Sequence, residues 1–386
     1  MKKEKNVFKL LKLFINVIYI IFIFIIVDGM FTNVGFDEWL DLDFGDFMGR
    51  FLLLMIIWLV AYFLVSFISV LWHEFGHYVF GKKAKLNFDS FSVLNLVIYK
   101  EKNKTKFKFS KRITGVSGFC NMGFDDNKKY NPKDVISYYF GGIFFNMIFV
   151  VVFSILLLLC KNDYLYLLCL LFISVNVYTA FYNMIPVIKR NGVRSDMMHI
   201  VIYFEDDEFT KIYGRLYKVQ EYLNDGYSLK EIDKKLMYMP KTIKSSASLQ
   251  MAEVYVDYLT EMEKYDDALK KIKFINEEAK DIISVSDEYI LKTQEIICLF
   301  KKDKYSEIEK EWDKNYIKFI KYAESLTPLY TDIEYMYYKL IKNDKDEYNK
   351  TLSRFNKNKK LYRQNQMIID AETFIKEIDE KYENNK

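Results

Sequence analysis

The feature that most constrains this chain is a set of four long apolar runs in its first half. A helix crosses the hydrocarbon core of a bilayer with roughly 20 mainly apolar residues, so each run is long enough to span a membrane. The runs cover residues 10–27, 52–71 and onward, 135–160 and 165–185. The sequence therefore predicts a mainly α, polytopic membrane helical bundle with about four spans.

The charges that flank these runs predict their orientation. Positively charged residues near the ends of spans stay in the cytoplasm. The segment FDEWLDLDFGDF between the first two runs has no lysine, and its acidic residues are Asp37, Glu38, Asp41, Asp43 and Asp46. The loop after the second run is rich in lysine. We therefore expect a multi-pass protein of the cell membrane with an external acidic loop and with both chain termini in the cytoplasm.

The basic amino-terminal flank could also belong to a signal peptide. Five lysines precede or enter the first run, namely Lys2, Lys3, Lys5, Lys9 and Lys12. No small-residue cleavage site follows the run in VDGMFTNVGF, so a retained anchor is the better interpretation.

The cytoplasmic loop at residues 86–122 has a different pattern. The alternation in KFKFS and the glycines in TGVSGF are typical of short strands rather than of a helix. A small strand-containing hairpin at the membrane face is one interpretation. An irregular basic loop is the other, and the sequence leaves both open.

The second half of the chain has the pattern of a soluble helical domain. From about Phe209 onward, apolar residues recur at helical spacing among many charges. Turns near Lys264, in LFKKDKYSEIEKEW and in LIKNDKDEYNKTL follow one another at roughly 40 residues, a period typical of helical-hairpin solenoids. The region resembles a degenerate tetratricopeptide-like array, and an unrelated helical bundle is the alternative. The predicted domains are residues 1–50, 51–205 and 206–386.

Composition excludes several classes of function. The net charge of +4 is small for 386 residues, so nothing indicates a nucleic-acid partner. The four cysteines have neither metal-ligand spacing nor a disulfide pattern. Lysine, asparagine, tyrosine and isoleucine are frequent while proline is scarce, a bias typical of an AT-rich genome, so we expect a bacterial protein.

The segment LWHEFGHYVF places polar groups at the end of the second apolar run. His73 and His77 are four residues apart, so a helix projects them from one face. With Glu74 they form H-E-x-x-H, in which the imidazoles bind Zn²⁺ and the glutamate accepts a proton from a water acidified by the metal. Alternatively, the histidines only bond to neighbouring helices or headgroups, but this leaves the intervening glutamate unexplained.

A catalytic zinc ion usually has three protein ligands and an open fourth position. The candidates for the third ligand are Asp196, His199, Asp125 and Asp126. Asp196 opens the helix-forming run SDMMHIVIYF, where either Ser195 or Asp196 could be the N-cap. If Asp196 is only an N-cap, then it is not the ligand.

Residues 52–204 resemble the site-2 proteases, which are intramembrane zinc metalloproteases. His73, Glu74 and His77 match the first motif of this family. The second motif, a glycine-rich segment ending in asparagine, is matched by GGIFFN, although Ile143 stands where the family commonly has proline; the matched residues are Gly141, Gly142 and Asn146. The third motif is N-x-x-P followed by an aspartate, matched by Asn183, Pro186 and Asp196. Its gap is longer than usual, and Met197 replaces the family's glycine.

The resemblance implies a set of roles. Zn²⁺ would be held by His73, His77 and Asp196, with Glu74 as the catalytic base. Asn146 and Asn183 would contact the substrate. Without the resemblance, the two glycines could simply allow close helix packing, and Asn183 with Pro186 could be a helix end.

We therefore predict an intramembrane zinc metalloprotease. Its expected partners are a membrane-spanning or membrane-associated peptide, the lipid bilayer and a protein that binds the carboxy-terminal helices, with no nucleic acid. One alternative is a non-catalytic membrane scaffold that recruits a cytoplasmic partner. Another is a zinc protease that acts on a soluble substrate at the cytoplasmic face.

Overall fold

A computed structural model of the chain describes residues 2–33, 42–102, 104–110, 116–125, 127–188, 193–362 and 365–384. Two compact units make up the structure. The first unit comprises Met1–Lys85, Asn131–Val187 and Arg194–Ile200, and the second comprises Leu86–Tyr130, Ile188–Val193 and Val201–Lys386. The segment Leu86–Tyr130 thus groups with the carboxy-terminal helices. The division into three domains at residues 50 and 205 stays a prediction.

Long apolar helices form the first unit. They are α1 (Lys2–Asn33), α2 (Phe44–Lys83), α3 (Pro132–Leu159) and α4 (Asp163–Met184), followed by the start of α5 (Asp196–Glu205). Helices α1 to α4 are each long and apolar enough to cross a membrane, which confirms the four predicted apolar helices. Of the acidic loop, Asp37, Glu38 and Asp41 lie outside the described residues.

Capping residues set where two of these helices begin. The Asp43 side chain accepts hydrogen bonds from the backbone nitrogens of Gly45 and Asp46 at the start of α2. Asn131 caps α3 in the same way, and Pro132 takes the first helical position, where its missing N–H costs nothing. Each helix thus starts at a residue that satisfies otherwise unpaired backbone donors.

The outer faces of these helices are strongly apolar. Phe63 is 63% exposed and Leu158 is 84% exposed, and similar side chains surround them. A soluble monomer rarely exposes a continuous apolar surface of this kind. The exposed apolar faces agree with the length and composition of these four helices, which are sufficient to cross a membrane.

Helices α2 and α3 are in backbone contact. A Cβ atom added to Gly76 would lie 2.3 Å from the carbonyl oxygen of Gly141, so neither helix tolerates a side chain at this crossing. Next to it, the Trp72 indole N–H donates to the carbonyl oxygen of Phe145 over 2.8 Å. Small residues allow such close approach between membrane helices. The contact fixes which face of α2 lies against α3.

A four-stranded antiparallel sheet opens the second unit. Its strands are β1 (Asn87–Val93), β2 (Leu96–Glu101), β3 (Lys104–Phe109) and β4 (Gly118–Gly123), in the order β3-β2-β1-β4. The predicted strands are confirmed, and the irregular-loop interpretation is wrong for these segments. Thr114 and Gly115 of TGVSGF lie outside the described residues.

Helices make up the remainder of the second unit. They are α6 (Phe209–Asn224), α7 (Ser246–Glu261), α8 (Tyr265–Glu278), α9 (Val285–Lys301), α10 (Tyr305–Glu311), α11 (Lys314–Ala323), α12 (Leu329–Met336), α13 (Lys345–Asn358) and α14 (Asn365–Asn384). Short 3₁₀ turns lie at Leu229–Glu231, Lys234–Leu236 and Lys359–Leu361, and a π-helical turn at Tyr337–Ile341 follows α12.

Three helix-to-helix turns of the second unit share an unusual backbone geometry. Glu263, Asp303 and Asn343 have φ values of 58°, 56° and 50°. They end α7, α9 and the π-helical turn, and they follow one another at roughly 40 residues, the spacing of the turns in the sequence. At the first two turns a lysine amide bonds back to a carbonyl of the preceding helix, Lys264 to Leu259 and Lys304 to Leu299. This pattern is typical of Schellman helix ends.

Candidate metal centre

Helix α2 presents His73 and His77 to helix α3. Both side chains are buried, and their Nε2 atoms are 3.3 Å apart. The two residues are one helical turn apart on the face that the contact between Gly76 and Gly141 presses against α3. The sequence-predicted pair therefore converges on one point.

The Nδ1 atom of each imidazole, which is not the atom that faces the other histidine, has a partner on α3. The Nδ1 atom of His77 lies 2.8 Å from the carbonyl oxygen of Tyr138, which can only accept, so Nδ1 carries the proton. The Nδ1 atom of His73 lies 3.1 Å from Oδ1 of Asn146. The Nδ1 atom of each ring thus faces α3, and the Nε2 atom of each ring faces the other histidine. Metal-binding histidines are usually oriented by such outer partners.

Asp196 brings a carboxylate to the same point. Its Oδ2 atom is 3.1 Å from Nε2 of His73, and its Oδ1 atom is 3.4 Å from Nε2 of His77. Burial alone would raise the pKa of Asp196, but the neighbouring His77 and His73 hold it below its ordinary value. The carboxyl group is therefore ionised, as a metal ligand must be.

Ser195 explains how the chain reaches this position. Its hydroxyl donates to the carbonyl oxygen of Ile185 over 2.7 Å and accepts from the backbone nitrogen of Val187 over 3.1 Å. It also accepts from the backbone nitrogen of Met198, 3.4 Å away, in the first turn of α5. Ser195 thus caps α5 and ties it to the chain after α4. The Asp196 carboxylate is left available for the histidines.

Gly142 leaves the room in which these ligand atoms meet. A Cβ atom added there would lie 2.5 Å from Nε2 of His73 and 2.6 Å from Nε2 of His77. Any other residue would push both imidazoles aside. Gly142 therefore has a more specific role than the close helix packing that sequence considerations alone suggest.

The donor set fits Zn²⁺. One atom each from His73, His77 and Asp196 lies within 4.8 Å of the others, and the close contacts measure 3.1–3.4 Å. Ligand atoms about 2.0–2.2 Å from a tetrahedral ion are themselves roughly 3.3–3.6 Å apart. Two imidazoles with one carboxylate are a known ligand set of catalytic zinc. The described residues form no second group of this kind.

The remaining predicted site residues differ in whether they contact the three converging side chains. Glu74 is buried on α2 and interacts electrostatically with His77. Asn146 contacts His73 directly, and among the described residues its Nδ2 atom has no partner. Asn183 instead donates to the carbonyl oxygen of Thr179 within its own helix, and no contact with the three ligand residues is recorded in the described ranges.

The alternative third ligands are occupied in other ways. His199 stacks on Tyr139, with ring centroids 4.8 Å apart and planes 10° apart. Burial and the nearby Arg194 lower the pKa of His199 to about 3, so it is neutral. The Asp125 carboxylate accepts from the backbone nitrogen of Asn127 over 3.0 Å in a turn of the second unit. Asp126 lies outside the described residues.

The sequence contains no indication of one contributor to the centre, and it leaves the role of another, Ser195, open. Tyr138 acts through its backbone carbonyl, which any residue could supply, so no sequence signal could have found it. The coordinating geometry also depends on Ser195 as the cap, where the sequence allowed Ser195 or Asp196. The hydrogen bonds of Ser195 to Ile185 and Val187 are tertiary contacts that spacing alone does not reveal.

Comparison with known proteins gives one family. The family model described as Peptidase family M50 matches residues 61–249, which include His73, Glu74, His77 and Asp196. No curated protein and no solved structure matches the chain. Members of this family are membrane proteins and zinc metallopeptidases, and the four apolar helices with the group of two histidines and an aspartate agree with that description. The match supports the site-2 protease family and a membrane metalloprotease kind of function for this chain.

Proposed function

We propose that this protein is an intramembrane zinc metalloprotease that hydrolyses a peptide bond of a membrane-embedded or membrane-associated peptide. The observation that carries the proposal is the convergence of two imidazole Nε2 atoms and a carboxylate at 3.1–3.4 Å over Gly142. The apolar outer faces of the helices around this centre favour a substrate that reaches it from the bilayer.

His73, His77 and Asp196 would hold the ion. Zn²⁺ at this position supplies Lewis acidity, which makes a water molecule easier to deprotonate and a carbonyl easier to attack. Glu74 accepts the proton of the attacking water and then donates it to the leaving amine as the peptide C–N bond breaks. Burial of Glu74 keeps this exchange away from bulk water.

Asn146 and Asn183 are proposed as substrate-binding residues. Asn146 uses its oxygen to orient His73, and its buried Nδ2 group, which has no partner among the described residues, is a donor for a substrate carbonyl. Asn183 stands in the last turn of α4, and its existing bond to Thr179 must break before it can pair with an unwound substrate strand. The role of Asn146 thus has more structural support than that of Asn183.

The second unit offers two further features for this function. Strands β3 and β4 are the edges of the sheet, and an extended peptide can add to an exposed edge through main-chain hydrogen bonds. The recurring turns at Glu263, Asp303 and Asn343 support a tetratricopeptide-like array in the carboxy-terminal helices, which would bind a protein partner.

The test uses purified protein in detergent and two substrates, a membrane-spanning peptide and a soluble peptide of the same scissile sequence. We expect about one Zn²⁺ per chain, cleavage of the membrane-spanning peptide and much slower cleavage of the soluble one. Glu74→Gln should keep the ion and lose hydrolysis, because it removes the base and leaves the ligands. His73→Ala with His77→Ala should lose both.

Each rival function predicts a different result. A non-catalytic scaffold would cleave neither peptide even with zinc bound. A protease for soluble substrates would cleave the soluble peptide at least as fast. Stoichiometric zinc in the double histidine variant would contradict the proposed metal centre itself.

A further inference from the structure

Three carboxylates form a row along helix α7 of the second unit. Glu253, Asp257 and Glu261 are four residues apart, so they lie on one face of the helix. Glu253 is 8% exposed, Asp257 is half-buried and Glu261 is exposed. The row therefore leads from the surface of the second unit into its interior.

A glutamine of helix α9 closes the inner end of this row. The Nε2 group of Gln294 donates to Oδ1 of Asp257 over 2.8 Å and to the backbone oxygen of Glu253 over 2.9 Å, which uses both of its hydrogens. Its Oε1 atom belongs to the same amide and has no donor among the described residues, although Gln294 is only 4% exposed. Burying an amide oxygen without a donor is unfavourable, so a donor is missing at this position.

The charges around Asp257 point to the kind of donor. Within the described ranges its recorded hydrogen-bond partner is Gln294, and no lysine or arginine pairs with it. Burial raises the pKa of Asp257 to about 7, the bond from Gln294 lowers it, and the negative charge of Glu261 raises it. Tyr330 of α12 is also close enough to interact electrostatically with Asp257. The inner end of the row thus offers acceptors, whereas at its outer end Glu261 accepts from the backbone nitrogen of Lys230 over 3.1 Å.

We propose that Asp257 and the carbonyl oxygen of Gln294 bind the side-chain cation of a basic peptide segment. An ammonium group has three donors and no acceptor, which matches one carboxylate and one amide oxygen. This site lies in the second unit, and it stands independently of the proposed hydrolysis.

The spacing of the row favours a peptide over a small free cation. Residues four apart on a helix are about 6 Å apart along its axis. Alternate side chains of an extended peptide are roughly 6.6–6.8 Å apart. Two lysines in a Lys-x-Lys sequence can therefore reach Asp257 and Glu261 together, the first at the buried site and the second at the exposed one.

Fluorescence anisotropy tests the proposal with the full-length protein in detergent at about pH 8. The probe is a fluorescein-labelled glycine–serine peptide with one Lys-x-Lys sequence, and a norleucine peptide of equal length is the control ligand. Asp257→Asn keeps the acceptor for Gln294 and removes the charge, so we expect the Kd of the lysine peptide to rise about tenfold or more. Asp267→Asn, the same change at an exposed position on α8, should leave the Kd within about twofold.

Gln294→Met should also weaken binding, and if that variant does not fold, Asp257→Asn alone decides the test. Equal Kd values for Asp257→Asn and Asp267→Asn, or equal binding of the norleucine peptide, would overturn the site. No binding at millimolar peptide would overturn it as well. If spermidine displaces the labelled peptide at the same concentration as the unlabelled peptide does, then the site does not distinguish a peptide from a small polyamine, and the proposed peptide occupant is wrong.

Discussion

The carboxylate of Asp196 can face two imidazoles because its neighbour Ser195 caps the helix. Ser195 accepts from the backbone nitrogen of Met198 and bonds to both Ile185 and Val187. This division of roles makes the two interpretations of Asp196 separable by experiment. If Asp196 were the cap, its substitution would cost about 1 kcal/mol of local stability and leave the metal in place.

We expect Asp196→Asn to abolish hydrolysis and to weaken zinc binding while the fold is kept. Asparagine occupies the same volume but is a poor zinc ligand. The loss of zinc affinity should exceed the roughly 10–100-fold that removal of an outer partner costs. Zinc content and affinity, measured with a competing chelator, check this.

His199→Ala is the matched control for Asp196→Asn. The His199 ring stacks on Tyr139 and does not belong to the three converging residues that we propose as ligands, so zinc binding and hydrolysis should persist. The reverse pattern, with zinc lost from His199→Ala and kept by Asp196→Asn, would transfer the ligand role to His199.

At the scale of the elements, the crossing of α2 and α3 determines whether the centre can form. The two helices touch at Gly76 and Gly141, and the histidine nitrogens meet over Gly142. Helix α3 also supplies the Tyr138 carbonyl and the Asn146 oxygen that orient the rings. The interface between α2 and α3 thus determines where the two imidazole rings lie, which ring nitrogen of each faces α3, and how much room remains for the Nε2 atoms.

Gly142→Ala should remove zinc from the protein. The new methyl group would lie 2.5–2.6 Å from both Nε2 atoms, closer than any carbon contact allows, so the imidazoles must move. Gly49→Ala is the matched control, because a Cβ atom there meets nothing within 4 Å in the same helix as the histidines. Zinc content after size-exclusion chromatography distinguishes the two. Full zinc occupancy in Gly142→Ala would show that this crossing is looser than described.

The sequence predicted the helices and strands more completely than it predicted the contacts between them. The length of the apolar runs located α1 to α4, and the KFKFS alternation located β3, because successive side chains of a strand point to opposite faces. The outer partner of His77 is a backbone carbonyl, so no side-chain pattern marks it. The missing donor at Gln294 is likewise a product of tertiary packing between α7 and α9. Contacts between distant segments leave no trace in the local spacing.

Helix α7 should also make stability depend on pH. The pKa of Asp257 is about 7 in the folded protein and near 3.8 when unfolded, so between these values the folded state holds the extra proton. Stability therefore falls as pH rises from about 4 to 7. Asp257→Asn mimics the neutral carboxyl and should stabilise α7 by roughly 1–4 kcal/mol at about pH 8 and by nothing below about pH 4. Hydrogen exchange of the α7 amides, corrected for its intrinsic pH dependence, measures the difference.

At the scale of the whole molecule, the length of α2 relates the metal centre to the bilayer. A helix of 40 residues is about 60 Å long, roughly twice the thickness of the hydrocarbon core. If residues 52–71 lie in that core, then His73 and His77 lie within about two turns of its boundary. The charge of the flanks decides which boundary this is, because Lys82 and Lys83 end the same helix and Asp46 begins it. We propose that the centre lies on the cytoplasmic side.

Reporter fusions test this topology. A fusion after Asp46 should be active outside the membrane, whereas fusions after Lys104 and at the carboxy terminus should be active in the cytoplasm. The physical reason is that lysines are retained on the cytoplasmic side, and strand β3 alone contributes Lys104, Lys106 and Lys108. Fusions at both ends of α2 must give opposite results if α2 crosses the bilayer once. An external carboxy terminus would separate the Asp257 site from cytoplasmic peptides. The same compartment at both ends of α2 would contradict a single crossing of the bilayer by the helix that carries His73 and His77, two of the proposed metal ligands.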